Sequence, residues 1–359
     1  MTVPGDDAQL PPPPSVPATH EPDRSRADRV LVAVKRSRLA RFNAGIGVSA
    51  ILISLIAAFS IARPHEFATG FNARTLTADA SSLMVLATGL TFVVVSAGID
   101  LSIGSVLVFA SVISAKVMVA LGGASAGWSA IVLGLLAAVA AGMGWGLLNG
   151  FLITKAKIPP LIVTLGTLGA ALGLAQVVSS GQDVQVVPAH LQSTIGIGAA
   201  FGEIPWLFVI AAVLAIVFGL ILRYTRFGRY TYACGSSPEA ARRAGVNVDR
   251  HLMKVYVIQA GLAGVAGWMS LAQFAGTTIA GHSSDNLNAI AAVVIGGCSL
   301  FGGVGTVAGS MVGVFIPAVL ADGFLIVGLQ AFWVEVAVGA VLILAVYLDL
   351  LRRRSANSA

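Results

Sequence analysis

Apolar residues run along this chain in blocks near the length of about 20 residues that an α-helix needs to cross a bilayer, with short polar or glycine-rich connections between them. Runs such as ILISLIAAFSIA (51–62) and AVLILAVYL (340–348) lack the apolar/polar alternation of a membrane β-barrel strand. The pattern predicts spans at 42–62, 79–97, 101–121, 128–149, 159–179, 204–222, 254–274, 286–299, 304–321 and 330–350. The expected fold class is therefore an all-α polytopic membrane protein of about ten transmembrane helices. Three regions follow: a disordered basic tail (1–41), a transmembrane domain (42–351) with a long polar loop at 223–253, and a short tail (352–359).

Two places depart from a simple succession of helices. Residues 98–104 (Gly-Ile-Asp-Leu-Ser-Ile-Gly) leave no linker between the second and third spans, and the segment around 286–297 is short for a full crossing. Gly98, Asp100, Ser102 and Gly104, with Gly296, Gly297, Gly302 and Gly303, are the expected helix-break residues. Interrupted helices in corresponding positions of two halves mark transport pathways. At an offset of 199 residues, VVSAGIDLSIG (94–104) lies over VVIGGCSLFGG (293–303), which leaves an internal repeat open.

Lys and Arg concentrate on the cytoplasmic side of membrane proteins. With the N-terminus inside, 19 of the 22 fall in inside segments, leaving Arg63, Arg74 and Lys116 at or near the outer side. Both termini are accordingly expected in the cytoplasm. The same topology accounts for the net charge of +6, so nucleic acid is not an expected partner. The first apolar run begins too late for an ordinary cleaved signal peptide, and the first helix is expected to remain in the mature protein.

Composition narrows the chemistry. Only 11% of residues are charged and 57% are hydrophobic, too few charges to coat a soluble surface. The two cysteines, Cys234 and Cys298, make no CxxC pair, and the five histidines show no paired spacing, so no metal site is expected. No GxxxxGK[ST] sequence occurs, so any ATP that drives this chain must be bound by another subunit.

The polar loop carries the densest local signal. Ser237 suits an N-cap, Pro238 the first helical position, Glu239 the positive end of the dipole and Gly245 the stop, predicting a short helix over 238–244. It reads either as a surface helix on anionic lipid or as a docking element for a cytoplasmic motor. Asp100 reads either as a proton or substrate site or as a turn residue capping the next helix at the interface. Glu335 is a second candidate for a buried carboxylate. Asn149, Thr164, Thr167 and Gln176 offer neutral hydrogen-bonding groups for a polar solute, or else interhelical packing contacts. Trp145, Trp206, Trp268 and Trp333 suit sugar stacking or anchoring at the membrane interface.

Four stretches together resemble the permeases of bacterial ribose, xylose, arabinose and galactose ABC importers: GIDLSIGS (98–105), GLLNGFLITKAKIPPLIVTLGT (146–167), RYTRFGRYTYACGSSPEAARRAGVNVDR (223–250) and NAIAAVVIGGCSLFGGVGT (288–306). The resemblance implies a non-catalytic conduit in the inner membrane, working as two permease copies (a homodimer or a pair of paralogues) with an ATPase that holds ATP-Mg and a periplasmic sugar-binding protein. It also implies that Ser237, Pro238, Glu239, Ala240, Ala241, Arg242, Arg243 and Gly245 form the coupling helix that docks on the ATPase. The chain departs from that family where Asn286-Leu287-Asn288 replaces the usual Glu-Leu-Asp, and Gly297-Cys298 falls where Gly-Gly-Thr is usual. With two carboxylates replaced by amides, Asn286 and Asn288 join the candidate path, and a small neutral sugar or polyol is the expected cargo. Nucleosides or branched-chain amino acids are alternative cargoes, and an ion-coupled secondary transporter is the rival class. A membrane-embedded enzyme would need convergent catalytic groups, and none is legible.

Overall fold

The computed structural model describes residues 47–185, 187–330 and 332–357, so the basic tail and the start of the first span lie outside the described residues. Among the described residues there are ten apolar helices: α1 (Gly47–Ala62), α2 (Gly70–Val95), α3 (Ile103–Ala120), α4 (Trp128–Thr154), α5 (Pro160–Ser179), α6 (Trp206–Tyr224), α9 (Val248–Phe274), α10 (Asp285–Ile295), α11 (Val307–Ile326) and α12 (Phe332–Asn357). Two short helices, α7 (Arg226–Ser236) and α8 (Pro238–Arg243), lie between α6 and α9. Seven of the ten are long and apolar enough to cross a membrane; the apolar stretches of α1, α10 and α12 are shorter. Among the described residues ten apolar helices are thus found, three of them with apolar stretches shorter than a full crossing, α1 being described only from Gly47.

Several boundaries move for a common reason. α2 begins nine residues before the expected 79, and α9 six before 254. The added residues carry Asn72 and Arg74 in α2, and Asp249, Arg250 and His251 in α9, so the helices continue beyond their apolar stretches. α12 runs through Arg352–Arg354 to Asn357, past the expected tail boundary at 352.

Burial sorts the helices into two classes. The most apolar windows of α2 and α9 are 83% buried, against 28% for α5 and 22% for α6. α2 and α9 are the central helices. The outer ones turn large apolar side chains outward, such as Leu136 on α4, Leu165 on α5 and Ile216 on α6, as contact with lipid tails demands. α4 and α9 pack antiparallel through small residues: added methyls on Gly142, Gly146 and Gly150 would strike α9 backbone at Ala260, Tyr256–Val257 and Met253. Such a stripe every fourth residue lets backbones approach and gain dispersion contacts that lipid cannot supply. A second cluster joins α1, α10, α11 and α12 through Ile295, Ile316 and Leu320.

Candidate functional site

The loop between α6 and α9 is a built corner. Ser237 belongs to both of its helices: its N–H donates to Ala233 O (3.0 Å) to close α7, and its Oγ accepts the Ala240 N–H (3.2 Å) to open α8. Pro238 occupies the first turn of α8, and Gly245, at φ +82°, terminates it with its N–H on Arg242 O. A single turn would not persist alone. It is held by a small core of Cys234, Ala241 and Val248, and by Asp249, which takes Arg242 at 3.4 Å and Lys157 at 2.9 Å. Burial pushes the Cys234 thiol up, with nearby Arg242 opposing the shift. Pro238, Glu239, Ala240, Arg242 and Arg243 remain exposed, forming a small polar face.

α7 reaches from this corner to the two helix breaks. The expected breaks at 96–102 and 296–306 are present, except that Gly104 is the second residue of α3 rather than part of a break. α2 ends with Gly98 N–H on Val93 O (2.9 Å) and Ala97 N–H on Val94 O (3.0 Å); α10 ends with Cys298 N–H on Val293 O (3.1 Å) and Gly297 N–H on Val294 O (2.9 Å). These are the same helix-terminating motif. They are related by an offset of 200 residues, which corrects the 199 of the sequence match by one. The two breaks touch, since Gly303 N–H donates to Val95 O at 2.8 Å. α7 seals the junction: a methyl on Gly235 would strike Val95 O and stand 2.8 Å from Gly303 N, and Tyr232 Oη donates to Gly305 O at 2.7 Å.

The first break encloses polar groups. Asp100 is buried, not placed at an aqueous interface as the capping reading expects, and its Oδ1 accepts from Ser102 N (2.8 Å) and Ser102 Oγ (2.6 Å). Asn149 Nδ2 donates to Ser102 Oγ at 3.0 Å. The cap of α3 comes from elsewhere in the chain, as Asn286 Oδ1 accepts the Gly104 N–H at 2.6 Å. Sequence reasoning missed His282, which secures Asn286's neighbourhood by pairing with Asp285 Oδ2 (2.7 Å) while its Nε2 meets Ser270 and Thr278 hydroxyls. Its only local signal is the His-x-x-Asp spacing at the start of α10.

The remaining candidates do not converge. Thr164 and Thr167 are buried on α5 and bond mainly to their own helix backbone, with Thr164 Oγ1 at 3.5 Å from Ile99 O. Gln176 is exposed near the far end of α5, and Asn288 is half-buried on α10. Glu335 is exposed, so it is not a buried carboxylate. Trp145 and Trp268 are buried, whereas Trp206 and Trp333 are exposed as interface anchors would be. Among the described residues no three His, Cys, Asp or Glu side chains gather to hold a metal.

Comparison with known proteins decides the family. Residues 72–346 match the family described as the permease component of the branched-chain amino acid transport system. The chain belongs to this permease family. Relatives of the permease include a probable ABC transporter permease of Sinorhizobium fredii, 30% identical over 91% of this chain and 95% of that protein. The fructose import permease of Rhizobium meliloti is 29% identical over 90% and 89%, and the ribose import permease of Escherichia coli K12 is 31% identical over 83% and 91%. No solved structure matches this permease. As a member of an ABC importer permease family it is a multi-pass transport subunit, not an enzyme, and it works with an ATPase and a binding protein.

Proposed function

We propose that this permease imports a small neutral sugar or polyol across a bacterial inner membrane, receiving it from a periplasmic binding protein. A separate ATPase holding ATP-Mg drives it, two permease copies (identical or paralogous) form the conduit, and both termini face the cytoplasm. The sugar reading draws support from the fructose and ribose permeases among its relatives. It also fits the amides Asn286 and Asn288, which exchange hydrogen bonds with hydroxyls at no cost in buried charge.

One observation carries the mechanism: the α7–α8 corner is clamped at Ser237 and its α7 arm lies against both helix breaks through Gly235 and Tyr232. Force on the exposed face of α8 by a docked ATPase is thereby delivered to the junction of Val95 and Gly303. Coupling of this kind needs a contiguous element with two arrangements that both sites bias, and a short helix pair with one shared cap residue supplies a stiff arm. In this reading Ser237 to Arg243 and Gly245 form the docking turn, and the breaks are what it moves.

Uptake by the reconstituted importer tests both halves. Glu239→Lys, or Ala241→Pro, which removes the Ala241 N–H bond to Ser237 O, should abolish transport and ATPase stimulation while the chain still inserts. Unchanged uptake in both variants would leave α8 as a lipid-facing helix. Asn286→Asp should alter rate more than sugar preference, because a carboxylate oxygen can still accept the Gly104 N–H. An amino acid as the sole transported cargo would refute the sugar reading, and a periplasmically active reporter fused after Arg354 would refute the topology.

A further inference from the structure

A cavity of about 280 Å3 opens between α7 and the first two turns of α9, apart from the exposed face of α8. Phe227 and Tyr230 of α7 form one wall, Arg250 and Lys254 of α9 form the other, and residues 245–247 complete the lining. His251 is buried between the walls. Its Nε2 lies 2.9 Å from Thr231 Oγ1 of α7 and its ring centroid 4.6 Å from that of Phe227, so the two walls are tied together.

The charge in this cavity has one sign. Arg250 and Lys254 stand one helical turn apart on one face of α9, are exposed, and make no ion pair among the described residues. Among the described residues no Asp or Glu lines the cavity. The neighbouring acid, Asp249, is already held by Lys157 at 2.9 Å and by Arg242 at 3.4 Å. Asn247 turns its side-chain oxygen to the Arg250 N–H at 3.0 Å, so it caps the helix and leaves the cations uncompensated. Like charges at this spacing repel. They also stand in the first two turns of a 27-residue helix, where the macrodipole adds positive potential.

Depth and lining together name the anion. Lys254 is the last charged residue of α9, and the apolar stretch begins at Val255. α6 ends at Arg223 and Tyr224, both exposed, with the guanidinium 5.2 Å over the phenol ring. Such residues mark the level at which a membrane helix passes from hydrocarbon to headgroups. A soluble phosphate would need cations alone, whereas here they face an aromatic wall. α6, whose Ile216 and Leu220 are exposed to lipid, runs into α7 through the single residue Thr225.

We infer that this cavity binds the phosphate of an anionic phospholipid headgroup, with Arg250 and Lys254 as its cationic contacts and Phe227 and Tyr230 against its glycerol backbone. Basic pockets at the cytoplasmic ends of membrane helices take such headgroups. A volume just under the roughly 300–1,000 Å3 of small-molecule sites holds a headgroup and leaves the acyl chains outside, along α6. The bound lipid braces α7 against α9 and so stiffens the arm that reaches the two breaks. Assignment to the inner leaflet rests on the proposed cytoplasmic placement of the corner; the headgroup chemistry does not.

Native mass spectrometry of the full chain, released from nanodiscs that mix phosphatidylglycerol with phosphatidylcholine of the same acyl chains, reads the site. Phosphatidylglycerol should be retained in preference to phosphatidylcholine. Arg250→Gln and Lys254→Gln, both at exposed positions that tolerate substitution, should each cut that preference about fivefold, and Lys254→Arg should keep it. Lys116→Gln, which removes an exposed charge from α3, should leave it unchanged. Equal preference in the wild type and in the Arg250→Gln/Lys254→Gln double variant would overturn the site. Displacement of the lipid by inorganic phosphate would make the cavity a soluble-anion site, and the lipid assignment would fail. A double variant that keeps its lipid but no longer holds the ATPase would assign the cations to protein docking, and the assignment would fail as well. None of these outcomes depends on which side of the membrane the corner faces, so a reversed topology would move the site to the other leaflet without refuting it.

Discussion

The two helix breaks end in the same hydrogen-bonded motif but are made from different residues. After α10 the left-handed position is Gly297, at φ +90° with open space around it; after α2 it is Ala97, at φ +62°. A non-glycine residue in that region costs about 1–2 kcal/mol. The first break accepts that cost while holding Asp100, Ser102 and Asn149 in its polar cluster, whereas the second is lined by glycines and packs against its partner. The difference is one of division of labour. The second break, with its glycines at 296, 297, 302, 303 and 305, suits backbone that others press against, and the first is a scaffold tied into the core by side chains.

The sharpest attack on this comparison is at the place where the breaks meet. Gly235→Val should displace α7 from both, at a cost of about 3 kcal/mol or more from overpacking against backbone, read as loss of the folded fraction or a large fall in unfolding midpoint. A midpoint near wild type would mean that α7 does not seal the junction. Next in size, Asn286→Leu leaves the Gly104 N–H of α3 without its partner, costing about 1–3 kcal/mol, while Asn286→Asp should cost little. The smallest effects separate the two breaks directly. Gly297→Ala should destabilise by about 1–2 kcal/mol from backbone conformation alone. Ala97→Gly should stabilise by about 0.5–1 kcal/mol after the entropy of the added glycine is counted. Equal signs for the two substitutions would show that the motifs are not equivalent.

Much of the scaffold was legible in the residue pattern because lipid imposes a simple code. The apolar cores of the spans and the short helix at 238, with its Ser-Pro start and Gly stop, are written in local order. α7 was not: RFGRYTYACGS is too polar to stand out as a span and too short to show helical periodicity, and its helix is held by tertiary contacts at Gly235 and Tyr232. The cap supplied by Asn286 to Gly104 spans 182 residues and leaves no local trace. The pairing of the two breaks was visible but slipped by one residue, because identity counting aligns Gly98 with Gly297, whereas backbone conformation aligns Ala97 with Gly297. Asp100 was recognised as unusual, yet its burial with Asn149 and Tyr256 follows from the close approach of α4 and α9, which the spacing of Gly142, Gly146 and Gly150 only hints at.

Both native thiols sit beside the features described above, one under the corner and one at the second break. Cys234 packs under α8 with Ala241 and Val248, Cys298 closes α10 beside Ser310, and each is buried. Alkylating reagents attack the exposed thiolate, and burial works against both its exposure and, at Cys234, its formation. The resting chain is therefore chemically silent toward maleimides without any engineering. If the proposed coupling lifts the corner or parts the breaks, one of these sulfurs should come into reach, and the rate of alkylation would then clock that motion from inside the molecule.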